Sequence, residues 1–217
     1  VLNKHKVLIV NNNIWLIMNE IQLYFPLGLE HILDPKGYDH ILFVIALCAV
    51  YQWTSWKRIV WLVTAFTLGH SVTLALATYK IVPIHSDIVE FLIPITIFLT
   101  CIFNFFNQSI DKPLRTDNRK NAIALRYILA AGFGLIHGLG FSNYLSSLLG
   151  KESNITLPLL GFNVGLEIGQ FVIVIITLLL NYLIVKILQV KFREWNLILS
   201  GMVAGVALTL IADKWIF

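Results

Sequence analysis

His70, His137 and Glu167 each sit well inside a long apolar run, where an ionisable side chain is costly and marks a functional site. Counted from the ends of those runs, all three lie at one depth, about 14 Å below the same boundary at 1.5 Å per residue. Three such groups from three helices are expected to face the bundle interior and one another. Their helical neighbours add polar support: Thr67 and Ser71 share an arc with His70, while Asn163 and Gln170 fall on the face of Glu167 at i, i+4, i+7 spacing. These four are the expected hydrogen-bonding surround. Nearer the boundary, the stretch from Glu30 to His40 adds His31, Asp39 and His40, with Pro35 and Gly37 breaking the helix between them. Neutral imidazole with carboxylate suits zinc, nickel, cobalt or iron(II), whereas calcium or magnesium would demand more oxygen ligands. The expected metal ligands are His31, Asp39, His40, His70, His137 and Glu167.

The elements that must position these groups follow from composition. Of 217 residues, 58% are hydrophobic and 13% charged, with mean hydropathy +0.79, the composition of a chain dissolved in lipid. Apolar runs long enough to cross the hydrocarbon core fall near 38–54, 58–79, 88–107, 123–146, 157–186 and 196–217. They predict an all-α fold, one transmembrane domain over 1–217 with a bundle of about six helices at 38–217. Residues 1–37 form an N-terminal segment in which Asn19, Glu20, Gln22 and Pro26 interrupt the apolar pattern. An interfacial or re-entrant helix is expected there. Small-residue stripes, Gly161, Gly165 and Gly169 on one helix and Gly134 and Gly138 beside His137, allow close helix approach.

Basic residues cluster in the 54–57, 108–122 and 187–195 connections, which predicts that these face the cytoplasm and that both termini face outward. The expected location is the bacterial inner membrane. The net charge of +4 is a topology signal rather than a nucleic-acid footprint, so nucleic acid is excluded as a partner. The bilayer and a metal ion are the expected partners. No accessory or substrate protein is identified by the residues. Cys48 and Cys101 fall in apolar runs and read as small buried hydrophobes.

Four ordered motifs carry a family resemblance: His31-Ile-Leu followed by Asp39-His40-Ile-Leu-Phe; Phe66-Thr-Leu-Gly-His70-Ser71; Phe133-Gly-Leu-Ile-His137-Gly-Leu-Gly-Phe141; and Phe162-Asn-Val-Gly-Leu-Glu167-Ile-Gly-Gln170. Over residues 27–217 the chain resembles the HupE/UreJ family of hydrogenase- and urease-accessory membrane proteins. The resemblance implies about six transmembrane helices, nickel or cobalt permease activity, and a metal-handling role for His31, Asp39 and His40. Seven residues separate His31 from Asp39 here, where the hydrogenase branch of the family has five.

Two functions fit this pattern. In a divalent-metal permease, His31, Asp39 and His40 capture the ion, His70, His137 and Glu167 hold it at mid-depth, and Thr96, Thr100, Asn104 and Asn107 line a path onward. In a metal-dependent membrane hydrolase, Glu167, His70 and His137 would serve catalysis at a zinc site acting on a lipid or peptide bond. No His-Glu-x-x-His motif is present.

Overall fold

The computed structural model describes residues 2–82, 85–106, 116–149 and 155–215, with side chains from residue 18 onward except those of 116–122 and Leu149. The described residues form seven α-helices: α1 Leu2–Leu33, α2 Asp39–Cys48, α3 Trp56–Thr78, α4 Ser86–Phe106, α5 Thr116–Leu149, α6 Thr156–Tyr182 and α7 Phe192–Asp213. A 3₁₀ turn, Trp53–Ser55, precedes α3, and a π turn, Leu183–Ile187, follows α6. Asn107 and most of the basic 108–122 connection lie outside the described residues.

Five stretches are long and apolar enough to cross a bilayer: Trp53–Thr78, Ser86–Phe106, Ile123–Leu148, Thr156–Ile187 and Phe192–Asp213. They coincide with the last five runs read from hydropathy. Their polarity is arranged for lipid rather than water. Leu68, Val72, Ile128 and Ile176 are exposed, while Thr67, His70, Thr96, Asn104, His137 and Gln170 are buried. A polar interior behind an apolar surface is the arrangement a bundle in hydrocarbon requires, since polar groups there find partners only within the protein.

The first expected span, 38–54, is shorter in the structure, because α2 stops at Cys48 after ten residues. At 1.5 Å per residue it covers roughly 15 Å, about half the hydrocarbon core. The chain then turns, Tyr51 donating its N–H to Cys48 at 3.0 Å and Gln52 adopting an extended backbone. Carbonyl groups freed near the end of a buried half-helix need donors. Asn104 of α4 donates to the Ala46 carbonyl at 2.8 Å. Asn181 of α6 lies 3.4 Å from both the Cys48 and Tyr51 carbonyls as a donor to each.

The other half of that crossing comes from α1. Glycines on α6 meet it in ascending order: Gly161 at Ile21 and Tyr24, Gly165 at Phe25 and Leu29, Gly169 at Leu29 and Ile32. Residue numbers rise together, so α1 and α6 run parallel, and the Gly161–Gly169 stripe is the seam between them. The N-terminal helix therefore enters the bundle and ends inside it at Leu33. Asp34 to Tyr38 form the break, with Gly37 N–H bonded to the Asp34 carbonyl at 3.1 Å and Lys36 N–H to Asp34 Oδ1 at 2.9 Å. The C-terminal part of α1 and α2 together make one interrupted crossing, which with the five continuous helices gives the bundle of about six.

A second parallel pair, α3 and α5, holds the centre. A Cβ at Gly69 would overlap the Ala131 carbonyl, one at Gly134 the Phe66 carbonyl, and one at Gly138 the His70 carbonyl and the Thr73 hydroxyl. Only glycine lets these backbones approach so closely. The contact fixes His70 and His137 against each other in height.

Candidate metal centre

Four histidines from four helices meet where α1 breaks into α2. His31 comes from the last turn of α1, His40 from the first turn of α2, His70 from α3 and His137 from α5. Ring centroids lie 4.6 Å apart for His31 and His40, 5.0 Å for His40 and His137, 5.9 Å for His40 and His70, and 6.0 Å for His31 and His70. His70 and His137 are fully buried and His40 nearly so. His31, Asp39, His40 and His137 also line an open cavity of ≈ 310 Å³. Its rim carries Asp34, Lys36 and an ion pair between Glu90 at the start of α4 and Lys214 just past α7. This vestibule admits solvent to the cluster from one side of the bundle.

Hydrogen bonding sets the imidazoles' protons. His40 Nδ1 lies 2.9 Å from Asp39 Oδ1. A carboxylate accepts only, so Nδ1 carries the hydrogen, and in the neutral ring that metal binding requires the lone pair is on Nε2. His137 Nε2 lies 3.0 Å from the Thr96 hydroxyl, which has one hydrogen and spends it on the Ile93 carbonyl at 2.7 Å. Toward His137 that hydroxyl must therefore accept, so Nε2 carries the hydrogen and, in the neutral ring, the lone pair is on Nδ1. The nitrogens freed in this way, His40 Nε2 and His137 Nδ1, are buried with no protein partner, as are His31 Nε2 and both nitrogens of His70.

Buried imidazole nitrogens without partners are costly to leave so. A divalent transition metal would take their lone pairs, and the outer partners found here, carboxylate on His40 and hydroxyl on His137, are those that orient metal-binding histidines. As the rings stand, no three His, Cys, Asp or Glu groups among the described residues converge on one coordination point. The donor set fits a metal; a closed coordination shell needs the rings to rotate.

Apolar rings enclose the cluster. The Phe141 ring centroid lies 3.9 Å from that of His31, and those of Phe43 and Phe66 lie 5.1 and 5.2 Å from that of His137. Phe162 stands 5.7 Å from His31. Both phenylalanines of the Phe133-to-Phe141 motif and the first residue of the Phe162 motif thus pack on the histidines or on Phe43.

The six expected ligands separate into two groups. His31, His40, His70 and His137 come together. Asp39 comes with them, but its carboxylate is turned to the His40 ring and acts on its orientation. Glu167 is not brought to the cluster: it is half-buried and accepts from the Thr64 hydroxyl at 2.6 Å. The expected polar surround divides similarly. Thr67 donates to Gln170 at 2.8 Å, joining α3 to α6, and Ser71 bonds back to the Thr67 carbonyl at 2.7 Å. Asn163 Oδ1 is buried without a partner. None of these four hydrogen-bonds to an imidazole among the described contacts. The partner that does so, Thr96, belongs to the stripe read as an onward path.

A family model described as HupE / UreJ protein matches residues 5–217. The chain belongs to the HupE/UreJ family. These are membrane proteins known as nickel/cobalt accessory or transporter-like, and this member is an integral membrane protein with five continuous membrane-compatible helices. Comparison with curated proteins and with solved structures yields no match.

Proposed function

We propose that this protein binds a divalent transition-metal ion, of the nickel, cobalt or zinc type, and carries it across the bacterial inner membrane. The ion is cargo. The observation that carries this reading is the set of unpartnered imidazole nitrogens from four helices at the foot of an open vestibule. Borderline metals favour such nitrogen donors. A transport site must also release, and four neutral imidazoles without a directly ligating carboxylate hold a dication less tightly than a charged set would.

Polar groups also continue beyond the cluster. Thr96, Thr100 and Asn104 follow each other at four-residue spacing along buried positions of α4, so they form one stripe. Thr100 and Asn104 reach a second cavity of ≈ 70 Å³ on the far side. Between the two, Phe43 packs on Phe66 and Phe133 with centroids 4.8 and 6.1 Å away. Access is therefore one-sided, as expected for one state of an alternating carrier. With the basic connections cytoplasmic, the vestibule faces outward and both termini lie outside.

Uptake of nickel, cobalt and zinc into proteoliposomes tests the reading, with wild type compared to His40→Ala and His137→Ala. Saturable uptake abolished in both variants is the expected result. Stoichiometric metal retained without any flux overturns transport.

A further inference from the structure

The cavity on the far side of the bundle holds a cation that the metal reading does not use. Arg126 lines it together with Leu47, Thr100, Asn104, Leu125 and Phe133. It lies three residues into the apolar stretch that begins at Ile123, about 5 Å inside the hydrocarbon boundary at 1.5 Å per residue. Its Nη2 is buried and has no hydrogen-bond partner. No ion pair to Arg126 is present among the described residues, and its neighbour is Tyr51, whose ring centroid is 5.9 Å from the guanidinium carbon and whose hydroxyl is hydrogen-bonded to the guanidinium. A phenol keeps its proton at neutral pH, so Tyr51 supplies no negative charge. A guanidinium does not lose its proton. An anion is the missing partner.

The cavity's shape selects among anions. Its ≈ 70 Å³ is roughly the share of two water molecules in the liquid, enough for a small oxyanion group. It is walled mainly by residues of α4 and α5, with Leu47 of α2 and Leu62 of α3 behind them, and two of the former, Phe103 and Leu125, are 38% and 47% exposed on the apolar surface of the bundle. An anion entering there passes along apolar side chains rather than through water. The same cavity contains a second unsatisfied atom, the buried Oδ1 of Asn104, which accepts hydrogen bonds. A hydrophobic approach, a guanidinium at headgroup depth and a nearby acceptor match a phospholipid. Its phosphate answers Arg126, its headgroup hydroxyl or ammonium answers Asn104, and its acyl chain lies along Phe103, Leu125 and Leu129.

We propose that the cleft between α4 and α5 at the basic end of the bundle is a phosphate-binding site centred on Arg126, occupied by a phospholipid of that leaflet. Arg126 supplies the planar donors that suit a phosphate oxygen pair. None of its residues belongs to the histidine cluster, although Thr100 and Asn104 are shared with the polar stripe of α4.

The test uses purified full-length protein incubated with phosphatidylglycerol and examined by native mass spectrometry, alongside thermal unfolding with lipid or with inorganic phosphate. The bound-lipid fraction should fall about tenfold or more in Arg126→Ala and fall less in Arg126→Lys. Leu129→Trp, which keeps the guanidinium and fills the side entrance, should lose the lipid as well and remains informative if the alanine variant folds poorly. Lipid retained equally in Arg126→Ala and Leu129→Trp overturns the site. Inorganic phosphate that stabilises wild type as much as the lipid does overturns the lipid as its source.

Discussion

Thr96→Val is the sharpest test of how the histidine cluster is set. The side chain keeps its shape and loses one hydroxyl, which accepts from His137 Nε2 at 3.0 Å and donates to the Ile93 carbonyl at 2.7 Å. The Ile93 carbonyl is a helix acceptor and loses little. His137 has two choices in the variant. It can leave a buried N–H unsatisfied, which costs about 1–3 kcal/mol. Or it can move the hydrogen to Nδ1 and withdraw the lone pair aimed at the cluster. Both reduce metal affinity, and loss of such an outer hydrogen bond typically costs about 10–100-fold, or about 1.4–2.7 kcal/mol. Calorimetric titration of purified protein with nickel or zinc measures it, with Thr100→Val as control, since among the described residues the Thr100 hydroxyl bonds to the Thr96 carbonyl at 2.8 Å and to no imidazole. Wild-type affinity in Thr96→Val with an unchanged melting temperature would refute the assignment of the His137 proton.

Three further outcomes follow from the geometry. Asp39→Asn removes the charge that holds His40 Nδ1–H and should weaken metal binding about 10–100-fold in the same titration, while equal affinity would make Asp39 a bystander. Glu167→Gln should leave that affinity unchanged because Glu167 faces Thr64; a loss as large as that of His137→Ala would show that the carboxylate reaches the ion during the transport cycle. Gly138→Ala forces a Cβ onto the His70 carbonyl and should lower stability by about 1–3 kcal/mol, read as a drop in melting temperature in detergent, whereas an unchanged melting temperature would mean that α3 and α5 separate at little cost.

Hydropathy reads length and polarity, and those two properties decide the five continuous helices. The first span misleads because residues 49–51, Ala-Val-Tyr, are apolar yet not helical; they are a buried turn, and the carbonyls that flank and end it, those of Cys48 and Tyr51, are served by Asn181, far away in sequence. Nothing local marks that. Asn19, Glu20 and Gln22 give α1 an interfacial look, but Asn19 and Gln22 are exposed while Tyr24 and Ile32 pack inside. Depth was legible for His70 and His137 because counting along a helix gives height. It does not give azimuth. On α6 the residue that faces the cluster is Phe162, and Glu167 comes five residues later, roughly 140° round the helix and about 7.5 Å further down. The four-histidine meeting depends on where α1 stops, and a Pro and a Gly nearby announce a break without saying at which height it sits. Thr96 could have been found as the one stripe residue level with His137, had the helices' rotation been known.

The half-helix α2 has an implication for the order in which the molecule is made. Ten residues are too few to be held in a membrane alone, and the carbonyls at its end have no lipid partner. Their donors, Asn104 and Asn181, are synthesised later, the second of them well over a hundred residues downstream. His40 therefore leaves the ribosome early but acquires its final position only once α6 has arrived. A truncated nascent chain that lacks α6 contains all four histidines but not the donors that fix α2, so the proposed metal capture requires α6 to be in place.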